Sequence, residues 1–503
     1  MIRPDEHHLP THTFCRLQPA RRGRIRWAAA LCAAVAWCGS SSVELQGAAP
    51  VAADFAELTK AVEPLQAFLA GNVIVAESAV GQPAFDSAQA CNPFPADARI
   101  LAYEEHRDFI YAVGDASQIL PAAPAGDSAP PRFLRRCLLL KPNLFVLDDI
   151  VRLLPGQPSL RWTLGCRSRP IAVDQRWQFS DGAQQLVWET LWPTGRMAQR
   201  TAEFSEQNTV AHDYGFELTA SVAGSRLVQV FSLSPTGVAD AAVTCTVKER
   251  EGELQLAIST SQRTFHLNLP PADQGAGSIA LLDAAGQTRL PRRPLAAGVL
   301  PHGPEGMRLL ERWDSAYRDG RTAPWDTKMV APALQQAVES GAIKPCRTVT
   351  LGCGTGANAI YLARQGFDVT AIDVAPTALG LADDKARQAG VRVRWLLADV
   401  LALPDLRPFD LVFDRGCYHN VRYVDAEGFV ESLRRLTRPG SQCLILSCNR
   451  DAPPGVREET MRDDFSALFD FVWLRDSGVE GRDGKVWRES WSLLMQRKPF
   501  SNP

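Results

Sequence analysis

The sequence predicts a multidomain chain in which an all-β sandwich precedes an α/β doubly wound parallel sheet. Between residue 51 and about 295, short apolar runs recur between turn-forming clusters. From about residue 308, strand-like runs instead alternate with helical ones over short connections. A glycine-rich turn joins the first strand of that second part to its helix. Such a turn places a ligand crevice at the carboxyl ends of the strands.

The amino terminus comes first in the chain. Arg21, Arg22, Arg24 and Arg26 precede an apolar run from Trp27 to Trp37, and Gly39-Ser40-Ser41-Ser42 follows. A basic stretch, a short apolar run and a small polar exit are the grammar of a secretory signal. The run is shorter than the ~20 residues that span a bilayer. Residues 1–45 are read as a leader holding a candidate signal peptide or anchor, which points to the cell envelope.

In the β-rich part the expected strands include 72–75, 109–113, 137–140, 144–147 and 227–231. Several strands of this length with regular turns suggest an antiparallel sandwich. Residues 121–131 (PAAPAGDSAPP) read as a loop. The breaker-rich stretch 291–304 marks the boundary, giving a sandwich over 51–295, a linker over 296–307 and a second domain over 308–500. There, helices are expected over 332–339, 358–365 and 377–388, with strands over 348–351, 367–372, 391–397 and 409–413. Gly366 and Gly390 stand where helices stop.

Composition excludes several classes. Of 503 residues, 46% are apolar and 22% charged, so wholesale disorder and a polytopic membrane protein are excluded. A net charge of −2 leaves no basic footprint for nucleic acid. The twelve cysteines form no C-x-x-C pair and the eight histidines no H-x-x-x-H ligand pair on a helix, so no metal site is expected.

The chemistry concentrates in one constellation. The strand 348–351 runs into Gly352-Cys353-Gly354-Thr355-Gly356. Glycines permit a sharp turn and close approach of backbone to a ligand, and the following helix adds unpaired N–H groups. Gly352-x-Gly354-x-x-Ala357 fits a dinucleotide fingerprint as well. Asp373 closes the next strand 21 residues beyond Gly352, the spacing of a ribose-binding acid. Its other reading is a cap for the helix beginning near Pro376. Asp399 follows the third strand in WLLADVLALP, where a carboxylate can take an adenine amino group. The fourth strand ends in Asp414-Arg415-Gly416-Cys417-Tyr418-His419-Asn420. His419, the one histidine of this region, is the candidate base or substrate orienter. Tyr418 beside it is the second candidate, more a pocket wall than a proton carrier.

LGCGTG, AIDVAP, LLADVLALP and FDLVFDRGCYHN, in this order and spacing, resemble the motifs of class I S-adenosylmethionine-dependent methyltransferases with a Rossmann-like sheet. WDSAYRDGRTAPWD resembles a segment of the thiopurine, thiol, halide and tellurite group. The resemblance spans 311–498. It implies S-adenosyl-L-methionine as cofactor, with Gly352, Gly354 and Gly356 at the methionine moiety and Asp373 at the ribose. It puts Asp399 and the Val400 backbone at the adenine, Trp325 beside the cofactor, and Asp414, Arg415 and Cys417 around the substrate mouth. Thr350 stands where the family carries an acid that orients the cofactor amine. A small-molecule acceptor is implied: a thiol, halide or metalloid species, since a sulfonium methyl is already electrophilic.

In the first part, ARILAYEEHRDFIYAVGDAS and PRFLRRCLLLKPNLFVLDDIVRL resemble the sandwich of heparinase II/III-like polysaccharide lyases. The toroid those lyases carry is absent, and Gly71 replaces a histidine of the family pattern. The resemblance therefore implies a non-catalytic or glycan-binding sandwich with structural Asp115, Lys141 and Asp148. Arg135 and Arg136 point to opposite faces of a strand, so at most one is expected to meet an anionic sugar. A sandwich of this kind points outside the cytoplasm and a methyltransferase points inside it. The alternatives are a vestigial lyase-like protein with an idle second domain and a nicotinamide-dependent oxidoreductase.

Overall fold

A computed structural model describes residues 73–76 and 99–499, the latter with breaks at 116, 118–130, 153–159, 167–168, 174–175, 181–183, 195–197, 204–213, 221–225, 237–242, 272–274, 319–322, 324, 449–454 and 481–485. The leader and the expected loop over 121–131, save residue 131, lie outside the described residues. Among the described helices none is long and apolar enough to cross a membrane.

Up to residue 294 the described elements are almost all strands. An antiparallel eight-stranded sheet runs Arg99–Glu105, Phe109–Asp115, Arg132–Leu140, Leu144–Arg152, Arg226–Pro235, Gln184–Trp192, Arg176–Ser180 and Ile171–Val173. A five-stranded meander follows, from Thr244–Arg250 to Thr288–Pro294. Burial alternates along the meander strands Glu253–Ser259 and Arg263–Leu269 because successive side chains leave a strand on opposite faces. The inward set Leu254, Leu256, Ile258, Phe265 and Leu267 shares one core with Phe109, Tyr111, Leu138, Val146 and Val230 of the larger sheet. A further four-stranded sheet contains Val73–Ala76, Leu160–Cys166, Tyr214–Ala220 and Ala198–Glu203.

The paired arginines correct an expectation. They do lie on opposite faces, but neither reaches solvent: Arg135 is 1% exposed and Arg136 3%. Arg135 grips Asp149 through Nε (2.5 Å) and Nη2 (2.7 Å). Arg136 Nη1 donates to Asp148 (3.0 Å) and to the Pro270 carbonyl (2.7 Å), and Nη2 donates to the Gly275 carbonyl (3.0 Å). Arg226 holds both oxygens of the same Asp148 at 2.8 Å. Asp148 is thus structural, as expected, but buried within an ion network that ties the eight-stranded sheet to the meander's end. Sequence spacing gave the faces. Cross-strand register gave the carboxylates, since Arg135 stands opposite Asp149 and Arg136 opposite Asp148.

From residue 303 helices and strands alternate, because apolar strands buried on both faces need helices to cover them. The sheet order is Arg394–Leu397, Asp368–Asp373, Arg347–Leu351, Phe409–Arg415, Thr437–Cys448, Val486–Arg497 and Phe469–Glu480. The first five strands pair in parallel, and Val486–Arg497 runs antiparallel to its neighbours on both sides. Val349, Leu351, Val412 and Ile445 face the helix Tyr418–Leu436. Ala371, Phe413 and Leu444 lie in the opposite core with the helices Pro332–Glu339 and Ala357–Arg364. The expected strands and helices here are all present, displaced by at most three residues at their ends. Order reverses between the central strand Arg347–Leu351 and its two neighbours. Open α/β sheets bind ligands at that reversal.

The buried ion pairs give a stability test. Arg135→Ala takes two guanidinium donors away from the buried Asp149 carboxylate and should cost about 3–5 kcal/mol in a urea unfolding titration of the full chain.

Candidate functional site

The glycine turn is built by backbone that only glycine adopts readily. Gly352, Gly354 and Gly356 have φ of 58°, 54° and 81°. Space is as restrictive as angle at two of them. A Cβ on Gly352 would stand 2.7 Å from Cys417 Cβ, and one on Gly356 would stand 2.7 Å from the Trp395 ring.

Asp373 locks this turn to the neighbouring strand end. Its Oδ2 accepts the Gly354 N–H (2.7 Å) and its Oδ1 the Ala375 N–H (2.8 Å). Burial pushes the carboxyl above its usual range, and these amides pull it back. The cap reading and the ligand reading of Asp373 are therefore compatible: a carboxylate has about four acceptor positions and two are used here. On the next strand, Asp399 Oδ1 accepts the Leu401 N–H (2.9 Å), and burial raises its carboxyl as well. Two desolvated carboxylates with spare acceptor capacity at adjacent strand ends suit the hydroxyls and the amino group of an adenosine. Val400 is buried and its carbonyl accepts Ser432 Oγ (2.6 Å), which fixes the loop after Asp399.

Thr350 is buried with its hydroxyl unpartnered, between sheet neighbours Ala371 and Phe413. It offers no charge where the resemblance implied an acid. Cys353 is a packing residue, its thiol pushed well up by burial.

Trp325 is 46% exposed, and its Nε1 donates to the Tyr317 hydroxyl (2.8 Å). That hydroxyl would stand 3.2 Å from a Cβ on Gly354, so Trp325 borders the glycine turn through Tyr317. Asp326 accepts the Thr355 hydroxyl (2.9 Å), and Lys385 Nζ donates to the same Thr355 Oγ1 (2.5 Å). Asp314 accepts the Thr377 N–H (2.7 Å) and hydroxyl (3.0 Å), at the start of the helix Pro376–Gln388. Sequence reasoning passed over both of these acids. The signal was the repeated Trp-Asp pair, Trp313-Asp314 and Trp325-Asp326, whose two rings meet edge to face at 5.5 Å.

Three residues at the mouth depart from expectation. Asp414 is fully buried and accepts the N–H groups of Cys417 (3.1 Å) and Tyr418 (3.0 Å), so it holds the first turn of Tyr418–Leu436 and does not line the mouth. Burial raises its carboxyl to about 7. Tyr418 is buried too, its hydroxyl given to Asp464 (2.6 Å) and raised by burial and by that carboxylate. It is neither wall nor catalyst. His419 Nδ1 accepts the Cys448 N–H (3.2 Å). A backbone amide only donates, so Nδ1 supplies its lone pair and Nε2 carries the proton. In that tautomer His419 is a donor and not a base. Arg415, by contrast, is half-buried, with a long contact to Thr327 Oγ1 (3.5 Å) and the Asp326 charge nearby.

Residues 349–440 match the family model of a methyltransferase domain. The match includes the glycine turn, Asp373, Asp399 and the Asp414–His419 stretch. The chain carries an S-adenosylmethionine-dependent methyltransferase domain. Its cofactor is S-adenosylmethionine, which sets aside the nicotinamide reading. Over 158 residues it is 28% identical to a 2-heptyl-1-hydroxyquinolin-4(1H)-one methyltransferase of Mycobacteroides abscessus, covering 29% of this chain and 69% of that protein. It is 24% identical to a probable thiol methyltransferase of Arabidopsis thaliana, covering 27% of this chain and 60% of that one. A solved Burkholderia thailandensis 1,6-didemethyltoxoflavin N1-methyltransferase with S-adenosylhomocysteine bound is 22% identical, covering 39% of this chain and 91% of that one at a TM-score of 0.31.

Two measurements probe this methyltransferase domain. Asp373→Ala should weaken S-adenosylhomocysteine binding by about 1–3 kcal/mol, the scale for an unpaired buried polar group, in isothermal titration. Asp414 predicts a pH effect of opposite sign to that of most carboxylates. The folded chain holds this proton up to about pH 7 while the unfolded chain releases it near 4. Its contribution is therefore full below pH 4 and is lost as pH rises toward 7. Unfolding titrations of the wild type and Asp414→Asn across pH 4–7 should show the wild type losing this advantage and the variant lacking the slope.

Proposed function

We propose that the chain transfers a methyl group to a small soft nucleophile that arrives already anionic, such as a thiolate, a halide or a metalloid oxyanion. The observation that carries this reading is that the three proton-handling groups expected at the mouth are each engaged by the fold. His419 spends its Nδ1 lone pair on the Cys448 amide, the Tyr418 hydroxyl donates to Asp464, and Asp414 is buried beneath the helix start. An oxygen or nitrogen acceptor would need a base. An anion needs placement and exclusion of water.

S-adenosylmethionine supplies an electrophilic sulfonium methyl. The residues of this chain bind and orient. Asp373 faces the ribose and Asp399 the adenine amino group, while Gly352, Gly354 and Gly356 let the backbone approach the methionine moiety. Arg415 faces the incoming anion. Trp325 shields the turn. The thiol methyltransferase among the relatives agrees with such an acceptor.

In this reading the methyltransferase domain spans 308–500, and residues 51–295 form a non-catalytic sandwich of the heparinase II/III-like kind. The shared core of the eight- and five-stranded sheets supports that. The burial of Arg135 and Arg136 takes away the anionic-sugar contact expected of their strand.

The test is methyl transfer from labelled S-adenosylmethionine to thiophenol, iodide, tellurite and a neutral phenol. Turnover with the first three and not the phenol is expected. Transfer to neutral oxygen or nitrogen acceptors alone would overturn the reading. His419→Gln keeps an acceptor near the Cys448 amide and should lower kcat less than about tenfold, whereas loss of a true base costs about 10²–10⁴-fold.

A further inference from the structure

The start of the stretch expected to be a linker is buried. Leu295, Ala296 and Leu300 are each 2% exposed or less. Residues 295–300 run between two sheet edges and bond to both. Toward the α/β sheet, Ala297 N–H donates to the Leu397 carbonyl (2.8 Å), and Ala296 bridges Leu397 in parallel. Toward the eight-stranded sheet, Tyr103 N–H donates to the Gly298 carbonyl (3.2 Å) and Leu300 N–H to the Tyr103 carbonyl (3.0 Å). Arg99–Glu105 and Arg394–Leu397 are the outermost strands of their sheets, so this segment satisfies edge groups of Tyr103 and Leu397 that would otherwise face water.

The segment is itself pinned from the β-rich side. Glu104 accepts the Ala296 N–H through Oε2 (3.1 Å) and pairs through Oε1 with Arg293, all three being buried. What it presses on is the adenine side of the site. Leu397 pairs in register with Asp373, and two residues further on stands Asp399. Gly298 lies against the loop after Asp399 so closely that a Cβ there would stand 2.8 Å from the Ala402 carbonyl oxygen and 3.2 Å from Pro404. Leu379, on the helix that follows Asp373, joins Leu397, Leu295 and Ala296 in the core of the two β-sheets.

We infer that the β-rich part is a fixed buttress of the adenosyl pocket, with segment 295–300 transmitting its position to the Asp373 and Asp399 strand ends. Glu104, Arg293 and Gly298 are positioning residues, acting through Leu397 and the loop 399–404. This rests on the reading that Asp373 and Asp399 hold the adenosine. If cofactor and buttress share one rigid seam, coupling is reciprocal: ligand must steady the seam as the seam steadies ligand.

Amide hydrogen exchange on the wild-type full chain tests this directly. Saturating S-adenosylhomocysteine should slow exchange at Tyr103, Ala297 and Leu300 at least threefold, with amides of the meander strand Glu253–Ser259 unchanged. Gly298→Ala supplies the converse measurement. Its affinity for both S-adenosylhomocysteine and plain adenosine should fall about tenfold, with the thermal midpoint of the unliganded protein within a few degrees of wild type. A variant too unstable to measure leaves the exchange experiment decisive. Binding with no change at the seam amides overturns the buttress alone. Wild-type chain that binds no S-adenosylhomocysteine overturns the cofactor reading, and the buttress with it.

Discussion

One half-buried carboxylate organises the α/β half of this chain. Asp373 takes the Gly354 amide on one oxygen and the Ala375 amide on the other. It thereby sets the distance between the glycine turn of the central strand and the turn of its neighbour. A carboxylate in this position is costly to desolvate, as the upward shift of its proton affinity records. It tolerates burial because backbone donors face it, and its remaining acceptor positions suit a ribose. Loss of that group would release both turns, so cofactor geometry and local fold depend on the same two hydrogen bonds.

Around this centre the polar residues divide by whether the fold has already engaged them. Asp414 and Tyr418 looked chemical from their place after a strand, but the helix Tyr418–Leu436 uses the first at its start and Asp464 binds the second. His419 is turned by the Cys448 amide into the donor tautomer. Arg415 keeps a long contact to Thr327 and stands half-buried. A mouth with donors and a cation, and with its candidate bases engaged, favours an acceptor that brings its own negative charge.

The β-rich half is joined to the α/β sheet through backbone pairing as well as side-chain packing. Short breaker-rich stretches usually mark tethers. Here the same residues supply the amides and carbonyls that two outermost strands lack, and small side chains such as those of Ala296 and Gly298 allow the approach. The Glu104–Arg293 pair sits beneath that contact. The consequence is a methyltransferase domain whose loop after Asp399 rests on a neighbouring sheet.

The sequence by itself determined the alternation of strands and helices after residue 308, the glycine turn, and the acids closing the next two strands. Those features are local: periodicity fixes the faces of an element, and positive φ demands glycine. The opposite facing of Arg135 and Arg136 was legible for the same reason. Only the tertiary structure decided where those side chains end. Register placed Asp149 and Asp148 opposite the two arginines. A helix 46 residues away in sequence took the Tyr418 hydroxyl, and an amide 29 residues away took the His419 lone pair. Residues 295–300 carry no pattern that distinguishes a tether from a strand partner. What settles it is the presence of two unsatisfied sheet edges on either side, a property of the assembled chain and of no stretch of its sequence.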